Sequence, residues 1–275
     1  MTIVGDELVM VYQTLVRDEN AVLAEGELAT GEATAAEQSL ILARFNPDDG
    51  EEIFWGPIVA HVTDFSEDSF PDHSLVWDEQ REELLVNTGT MGPGNEVTIR
   101  SVDIETAASS VVYRERIASD EVTSKIGNGM LINENGDLLV FGSDGFPEGD
   151  LSIAVLDDTF TTVETSRFEE ESTMETFPTG VIEYRGHYFI GYSQCILEGD
   201  GFAWENCRPH LKMIDAATFE EVWDIEVDSD KGFGALHPTL AMRGNTLYYA
   251  WSSDAGTYSD GVTSPQVRIE IFEID

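Results

Sequence analysis

The stretch ETFPTGVIEYRGHYFIGYSQ, residues 175–194, has the pattern of a β-hairpin: two apolar strands flank a tight turn at Arg185. A polar loop follows, and after it comes the alternating strand HLKMID, which starts at His210. A further strand from Glu221 to Val227 completes the unit. Four strands joined in this order by short connections predict one antiparallel sheet.

The same unit recurs along the whole chain. Its apolar second strand reads LVMVY, LLVN, LLVF, YFIGY and LYYAW, beginning at Leu8, Leu84, Leu138, Tyr188 and Leu247. Its third strand reads SLILARF, VTIRSVD, LSIAVLD, HLKMID and QVRIEIF, beginning at Ser39, Val97, Leu151, His210 and Gln266. From the second copy onward the spacing is roughly 50 to 60 residues, which is typical of propeller blades. Because one such sheet cannot bury both faces alone, the repeat predicts an all-β, five-bladed β-propeller.

A single propeller domain is therefore expected over residues 1–275. The predicted blades are residues 1–62, 63–117, 118–169, 170–228 and 229–275. The last blade is incomplete, because it offers three strands, at Leu240, Leu247 and Val267, where the others offer four. Two ways of closing the ring stay open: side-chain packing alone, or a strand from a natural chain that extends upstream of Met1, which we favour.

Acidic residues dominate the composition. The chain has 54 Asp and Glu against 14 Lys and Arg, a formal charge of −40 and a pI near 4.1. Such a polyanion repels nucleic acid and anionic lipid, so neither is expected as a partner. No apolar run approaches the about 20 residues of a membrane helix, which argues against membrane insertion. We interpret the charge as a solvated surface like that of proteins from salt-loving organisms; a surface loaded with Ca²⁺ is the alternative.

Two cysteines bound the polar loop of the fourth blade. Cys195 ends one strand and Cys207 begins its hairpin partner, so the pair is expected to face across the ladder and to form a disulfide. Their neighbours lack zinc-ligand spacing. A disulfide implies an oxidising compartment, and the protein is predicted to be extracellular, at the cell surface or periplasmic.

A ligand site is expected among loops at one face of the ring, around the central channel, because loops on a rigid scaffold vary freely. Aromatic rings and carboxylates gathered there suit a glycan. The predicted ligand-binding residues are His73, Asn128, Asp144, Gln194, Trp204, His237, Asp254 and Tyr258. Trp204 either forms a sugar platform or covers the disulfide, and sequence reasoning leaves both open.

The segment ETFPTGVIEYRGHYFIGYSQ resembles the blade-opening motif of the five-bladed glycosidases that act on arabinan and xylan. The resemblance implies that Glu175 is the general acid and that Asp72, in DHSLVW two blades earlier, is the base. The family also has an Asp that tunes the acid; here that place reads GNGML, with Asn128 nearest. His237 matches a histidine beside a central cation, which makes it a possible metal ligand. The alternatives are a loop carboxylate for Glu175, a turn cap for Asp72 and a packed histidine for His237.

Together these patterns predict an exported or cell-surface propeller that binds an extracellular ligand, most simply a glycan. A divergent glycoside hydrolase using Glu175 and Asp72 is the second hypothesis, and catalysis is left undecided. A protein-interaction ring in a surface assembly is the third. The chain has no G-x-S-x-G elbow, P-loop or dinucleotide fingerprint, which argues against serine hydrolases, kinases and dehydrogenases.

Overall fold

A computed structural model describes residues 1–16, 37–62, 73–89, 96–116, 125–144, 150–168, 174–196, 207–227, 236–253 and 266–274. Over these ranges the regular structure is entirely β. The strands are β1 (Thr2–Val4), β2 (Glu7–Val16), β3 (Glu37–Phe45), β4 (Glu52–Val62), β5 (His73–Asp78), β6 (Glu83–Gly89), β7 (Glu96–Val102), β8 (Ser109–Arg116), β9 (Lys125–Ile132), β10 (Leu138–Asp144), β11 (Asp150–Leu156), β12 (Thr162–Phe168), β13 (Met174–Tyr184), β14 (His187–Ile196), β15 (Cys207–Asp215), β16 (Glu221–Glu226), β17 (Leu236–Arg243), β18 (Thr246–Ser253) and β19 (Gln266–Glu273). Within the same ranges no helix is long and apolar enough to span a membrane.

The strands form five antiparallel sheets, each made from consecutive strands. Four sheets have four strands, ordered β1-β2-β3-β4, β5-β6-β7-β8, β9-β10-β11-β12 and β13-β14-β15-β16, and the fifth has three, β17-β18-β19. These sheets are the blades of a five-bladed β-propeller, so the predicted fold class, including the incomplete last blade, is confirmed. Blades one and two lie in the compact unit Met1–Arg116, and blades three to five lie in the unit Ile117–Asp275.

Apolar second and third strands supply the core in both units, as their β-branched and leucine-rich sequences require. In the first unit the core includes Val9, Leu40, Leu42, Leu84 and Val86, all of them fully buried.

In the second unit one cluster joins blades three and four, through Phe141 and Ile153 on one side and Tyr188 on the other. Another cluster joins blades four and five, through Phe189, Leu211, Leu247 and Tyr249. Facing sheets thus bury the two sides of blade four.

A repeated turn connects the third strand to the outer strand in blades one to four. It begins with Asn46, Asp103, Asp157 or Asp215, and in each case the side-chain oxygen accepts a backbone N–H two residues on. This arrangement is the Asx-turn, which explains why short polar residues close these hairpins. Hydrogen bonds from the amide of Thr218, three residues on, and from that of Ala217 lower the pKa of Asp215.

Candidate functional site

The innermost strands of blades three, four and five each contain a β-bulge. In β9 the extra residue is Asn128, between Gly129, opposite Phe141, and Gly127, opposite Gly142. In β13 it is Thr179, between Pro178 and Gly180. In β17 the register shifts between Leu236 and Thr239, so the bulge holds His237 and Pro238. Bulges re-aim side chains and are over-represented beside active sites.

These three strands are neighbours, since β13 contacts both β9 and β17. At Gly180 the backbones of β13 and β17 approach so closely that an added Cβ would lie 3.0 Å from the carbonyl oxygen of Pro238 and 3.0 Å from the amide nitrogen of Leu240. We use the name inner rim for residues 125–128, 174–179 and 236–238, which lead into or form the bulges. The inner rim is the candidate ligand site.

Three of the predicted site residues fall on the inner rim. Glu175 lies in β13, opposite Cys195 of β14, while Asn128 and His237 occupy bulges in β9 and β17. The structure therefore places on adjacent strands the residues that the sequence suggested for an acid, for its tuning partner and for a histidine near the channel.

Three other predicted residues lie elsewhere in the described part of the chain. Gln194 is buried in β14, between Thr176 and Arg208 in register, and Asp144 ends β10 opposite Lys125. His73 begins β5. Asp72, Trp204, Asp254 and Tyr258 lie outside the described residues.

The prediction that these residues sit in loops was wrong for all the described ones. Glu175, Asn128, His237, Gln194 and Asp144 belong to strands. The strands are longer than the apolar runs from which they were predicted, because backbone pairing continues into the neighbouring polar residues.

A network of polar side chains that sequence analysis missed lies in blade four. Asp224 of β16 accepts hydrogen bonds from Tyr192 and, at 3.1 Å, from Nδ1 of His210, and it forms an ion pair with Nζ of Lys212 at 3.1 Å. Lys212 also contacts Glu221 at 2.9 Å. The signal in the sequence was the pair His210 and Lys212 alternating with buried Leu211, which places both polar residues on one face of β15.

The buried charges of Lys212 and Asp224 compensate each other. The side chain of Lys212 is 2% exposed, and its ammonium lies 5.3 Å from the ring centroid of Phe168, as expected for a desolvated cation over an aromatic face. Burial alone would raise the pKa of Asp224, but the hydrogen bonds from His210 and Tyr192 and the charge of Lys212 outweigh it, and the net effect lowers that pKa. The carboxylate is thus held ionised.

Tyr249 of blade five ties this network to its neighbour. Its hydroxyl donates to the backbone carbonyl of His210 at 3.1 Å, and burial raises the pKa of the hydroxyl well above its ordinary value. Tyr192 lies opposite Pro178, beside the bulge of β13, so the network adjoins the inner rim.

The cysteines lie where the hairpin argument put them. The register of β14 and β15 places Cys195 directly opposite Cys207, and Cys207 is fully buried. No free cysteine occurs in the described part of the chain.

The acidic turn after β3 is the described part of the predicted calcium-binding surface. In it, Asn46 Oδ1 accepts the backbone N–H of Asp48, and Asp49 Oδ1 accepts that of Glu51. Within the described ranges there is no group of three or more His, Cys, Asp or Glu side chains suited to a metal. The other acidic loops, and most of the loop before β11, lie outside these ranges.

Comparison with known proteins found similar folds among solved structures but no matching sequence family. No family model and no curated protein matches the chain. Among solved structures, a protein of unknown function from Dyadobacter fermentans is similar with a TM-score of 0.66 and 11% identity, over 98% of this chain and 73% of that one.

Two enzymes show the same fold. The native arabinanase of Bacillus subtilis is similar with a TM-score of 0.55 and 12% identity, over 98% of this chain and 92% of that one. A β-1,3-galactosidase of glycoside hydrolase family 43 gives 0.56 and 11% identity over 89% of this chain, which spans only 50% of the galactosidase. The expected resemblance to glycosidase propellers is therefore confirmed at the level of the fold, and the chain shares with these proteins a five-bladed β-propeller.

Proposed function

We propose that this protein is an exported or cell-surface propeller that binds a glycan at the inner rim. The observation that carries the proposal is the set of three bulges, at Asn128, Thr179 and His237, on neighbouring inner strands. A rigid scaffold that presents polar residues from several strands at one place suits a ligand with many hydroxyls. The structural neighbours that are enzymes of glycans support this ligand class.

Binding without hydrolysis is favoured over catalysis by Asn128. An amide stands at the bulge of β9, where the glycosidase resemblance leads one to expect a carboxylate. An amide hydrogen-bonds a sugar hydroxyl but does not add the charge that would tune a neighbouring acid.

A polysaccharide panel tests the proposal. The chain and its Glu175→Gln and Asn128→Ala variants are scored in parallel for binding and for released sugar. We expect at least one polysaccharide to bind, Asn128→Ala to weaken binding about tenfold, equivalent to one hydrogen bond, and no sugar to be released. The matched control is Glu164→Gln, an exposed position on β12, which is three strands away from β9 in the sheet of blade three, and it should bind like the parent. Absence of binding across the panel would refute the ligand class.

A divergent glycoside hydrolase is the second candidate function. It is favoured by the place of Glu175 in β13, on the inner rim, and by the fold shared with an arabinanase. In this hypothesis Glu175 protonates the leaving oxygen and Asp72 activates water, with their carboxyl groups roughly 6.5 to 9.5 Å apart. Sugar released by the parent and abolished in both Glu175→Gln and Asp72→Asn would replace the binding hypothesis with this one.

Export and a Cys195–Cys207 disulfide form part of the same proposal. The opposed register of the two residues and the burial of Cys207 support the bond, and an oxidised pair fits an extracellular, surface or periplasmic location. Calcium stays a prediction for the acidic loops outside the described ranges. Isothermal titration of the chelated protein with CaCl₂ tests it, and heat of binding is expected only if such a loop folds around the ion.

A further inference from the structure

Two rows of residues in register extend outward from the inner rim, one in blade three and one in blade four. In blade three, Lys125 of the inner rim lies opposite Asp144, and Asp144 lies opposite Asp150 on the third strand. Asp150 forms an ion pair with Arg167 of the outer strand, at 2.5 Å. The cation at the outer end of this row is therefore already neutralised by a carboxylate.

The row in blade four ends in the same way. Thr176 of the inner rim lies opposite Gln194, and Gln194 lies opposite Arg208. The side chain of Arg208 is 43% exposed, and its guanidinium contacts Oε2 of Glu226 on the outer strand at 2.9 Å. Oε1 of the same carboxylate is buried and has no hydrogen-bond partner among the described residues. This row thus neutralises its cation and still has a carboxylate oxygen that can accept a hydrogen bond.

Negative charge dominates the rim-side edge, the name we give to these two rows with Arg167, Glu226 and Glu175. Its charged residues are Lys125, Arg167 and Arg208 against Asp144, Asp150, Glu175 and Glu226. The segments that join strands at this edge, residues 145–149, 169–173, 197–206 and 228–235, contain nine Asp and Glu against one Lys. The inner rim is therefore set in the same excess of negative charge as the whole chain.

An environment of this kind discriminates between ligands by their charge. A surface with one sign of charge raises the local concentration of ligands of the opposite sign and repels those of its own sign. An acidic sugar would have to compete with Asp150 and Glu226 for the guanidinium groups that they already bind. A protonated amine meets no such competition, and its hydrogen bonds to carboxylates are charge-assisted.

We propose that the glycan bound at the inner rim contains amino sugars with free, protonated amines, and that the rim-side edge selects it over uncharged and acidic glycans. This inference rests on the proposed function, because it names the ligand class of the same site. Glu226 is the specificity-determining residue, since its carboxylate cancels the charge of the exposed Arg208. Electrostatic complementarity of this type contributes more to specificity than to affinity.

Isothermal titration with two oligosaccharides of equal length tests the proposal. Oligomers of glucosamine and of N-acetylglucosamine share their linkage and differ in the charge of the nitrogen. At about pH 6, where such an amine is protonated, we expect the glucosamine oligomer to bind at least about tenfold more tightly. This preference should shrink as NaCl increases from about 0.1 to about 1 M, because salt screens the attraction. An oligomer of galacturonic acid should bind more weakly than either.

Substitutions at the Arg208–Glu226 pair should shift the preference in opposite directions. Glu226→Gln should lower the ratio of the two affinities about fivefold, because it leaves the charge of Arg208 uncancelled, and Arg208→Gln should raise it. A variant that only distorts the site weakens both oligomers and leaves their ratio unchanged. Glu164→Gln is the matched control: it removes the same charge from β12 and should leave the ratio as in the parent.

Each other outcome contradicts a different claim. Equal effects of Glu226→Gln and Glu164→Gln would show that the amine is attracted to the whole polyanion, which would overturn the assignment to the rim-side edge. A neutral polysaccharide that binds while the glucosamine oligomer does not would overturn this inference and leave the proposed function standing. If neither oligomer binds and no polysaccharide of the panel binds, the proposed function fails as well.

Discussion

At the scale of single residues, the buried cation in blade four carries a large desolvation cost. Lys212 is removed from water and compensated by Asp224 and Glu221. Breaking a buried ion pair by removing one partner leaves the other charge unsatisfied, which costs far more than the net contribution of the intact pair. The network therefore makes blade four dependent on a few polar atoms beside the inner rim.

Asp224→Asn tests this dependence. We expect a loss of about 3 kcal/mol in the free energy of unfolding at pH 7, from the missing charge opposite Lys212. The folded state lowers the pKa of Asp224 below its ordinary 3.8, so its contribution is complete above pH 3.8 and is lost as the pH falls through the folded-state pKa.

The difference between parent and variant should accordingly be constant at neutral pH and shrink once the pH falls below about 4. Urea unfolding at a series of pH values measures it. A matched substitution, Glu164→Asn on β12, should show no such difference. A gap that widens in acid would contradict the assignment.

Gly180 is the second residue that its surroundings constrain, because the backbone of β17 leaves no room for a Cβ at this position. Gly180→Ala would force backbone atoms of β17 to move, since all three nearest atoms, at 3.0 Å, are backbone. We expect a loss of about 2 kcal/mol, measured by denaturant unfolding. Gly191→Ala, which meets only side chains of Tyr249 and Leu240 at 3.2 Å and 3.4 Å, should cost less. The reverse order would show that β13 and β17 are not in close contact.

At the scale of elements, the β14–β15 hairpin is the part of blade four that sequence reasoning predicted best. Its alternation and flanking cysteines identify both strands and their register, because residues at strand ends either side of one loop must face each other. The bulges could not be predicted in this way. They depend on backbone geometry at glycine and proline positions, which leave no periodic signal in the sequence.

The proposed Cys195–Cys207 bond belongs to this hairpin. Reduction, or replacement of both residues by serine, is expected to lower stability by about 3 kcal/mol, as for a short closed loop. Thermal unfolding with and without dithiothreitol measures the loss for the parent, and the double serine variant should be insensitive to the reductant. Alkylation of both thiols in the unreduced, unfolded parent would disprove the bond.

At the scale of the whole molecule, self-repulsion is the dominant electrostatic effect. A formal charge of −40 on 275 residues destabilises the compact state, and salt screens that repulsion. We expect the Tm to rise steadily as NaCl increases from about 0.1 to about 1 M. Sucrose at matched osmolality is the control, because it is excluded from the protein surface as salts can be but does not screen charges. A Tm that fell as NaCl increased would argue against the repulsion.

The fold was predictable at this scale because the repeat is global. Five copies of the second and third strands appear as apolar runs that differ in sequence but keep their order, so errors at any one strand do not alter the architecture. The candidate site was predictable only in part. Glu175, Asn128 and His237 were found because they open blades, whereas the network around Asp224 was missed because its members come from three strands of one sheet.

The burial of Lys212 has a practical consequence for anyone who handles this protein. The chain has only three lysines, Lys125, Lys212 and Lys231, so amine-reactive dyes have few attachment points besides the amino terminus. With its ammonium enclosed between Phe168 and two carboxylates, Lys212 should resist acylation until blade four opens. The rate at which a succinimidyl ester labels Lys212, measured by peptide mass spectrometry, would then report how often blade four opens.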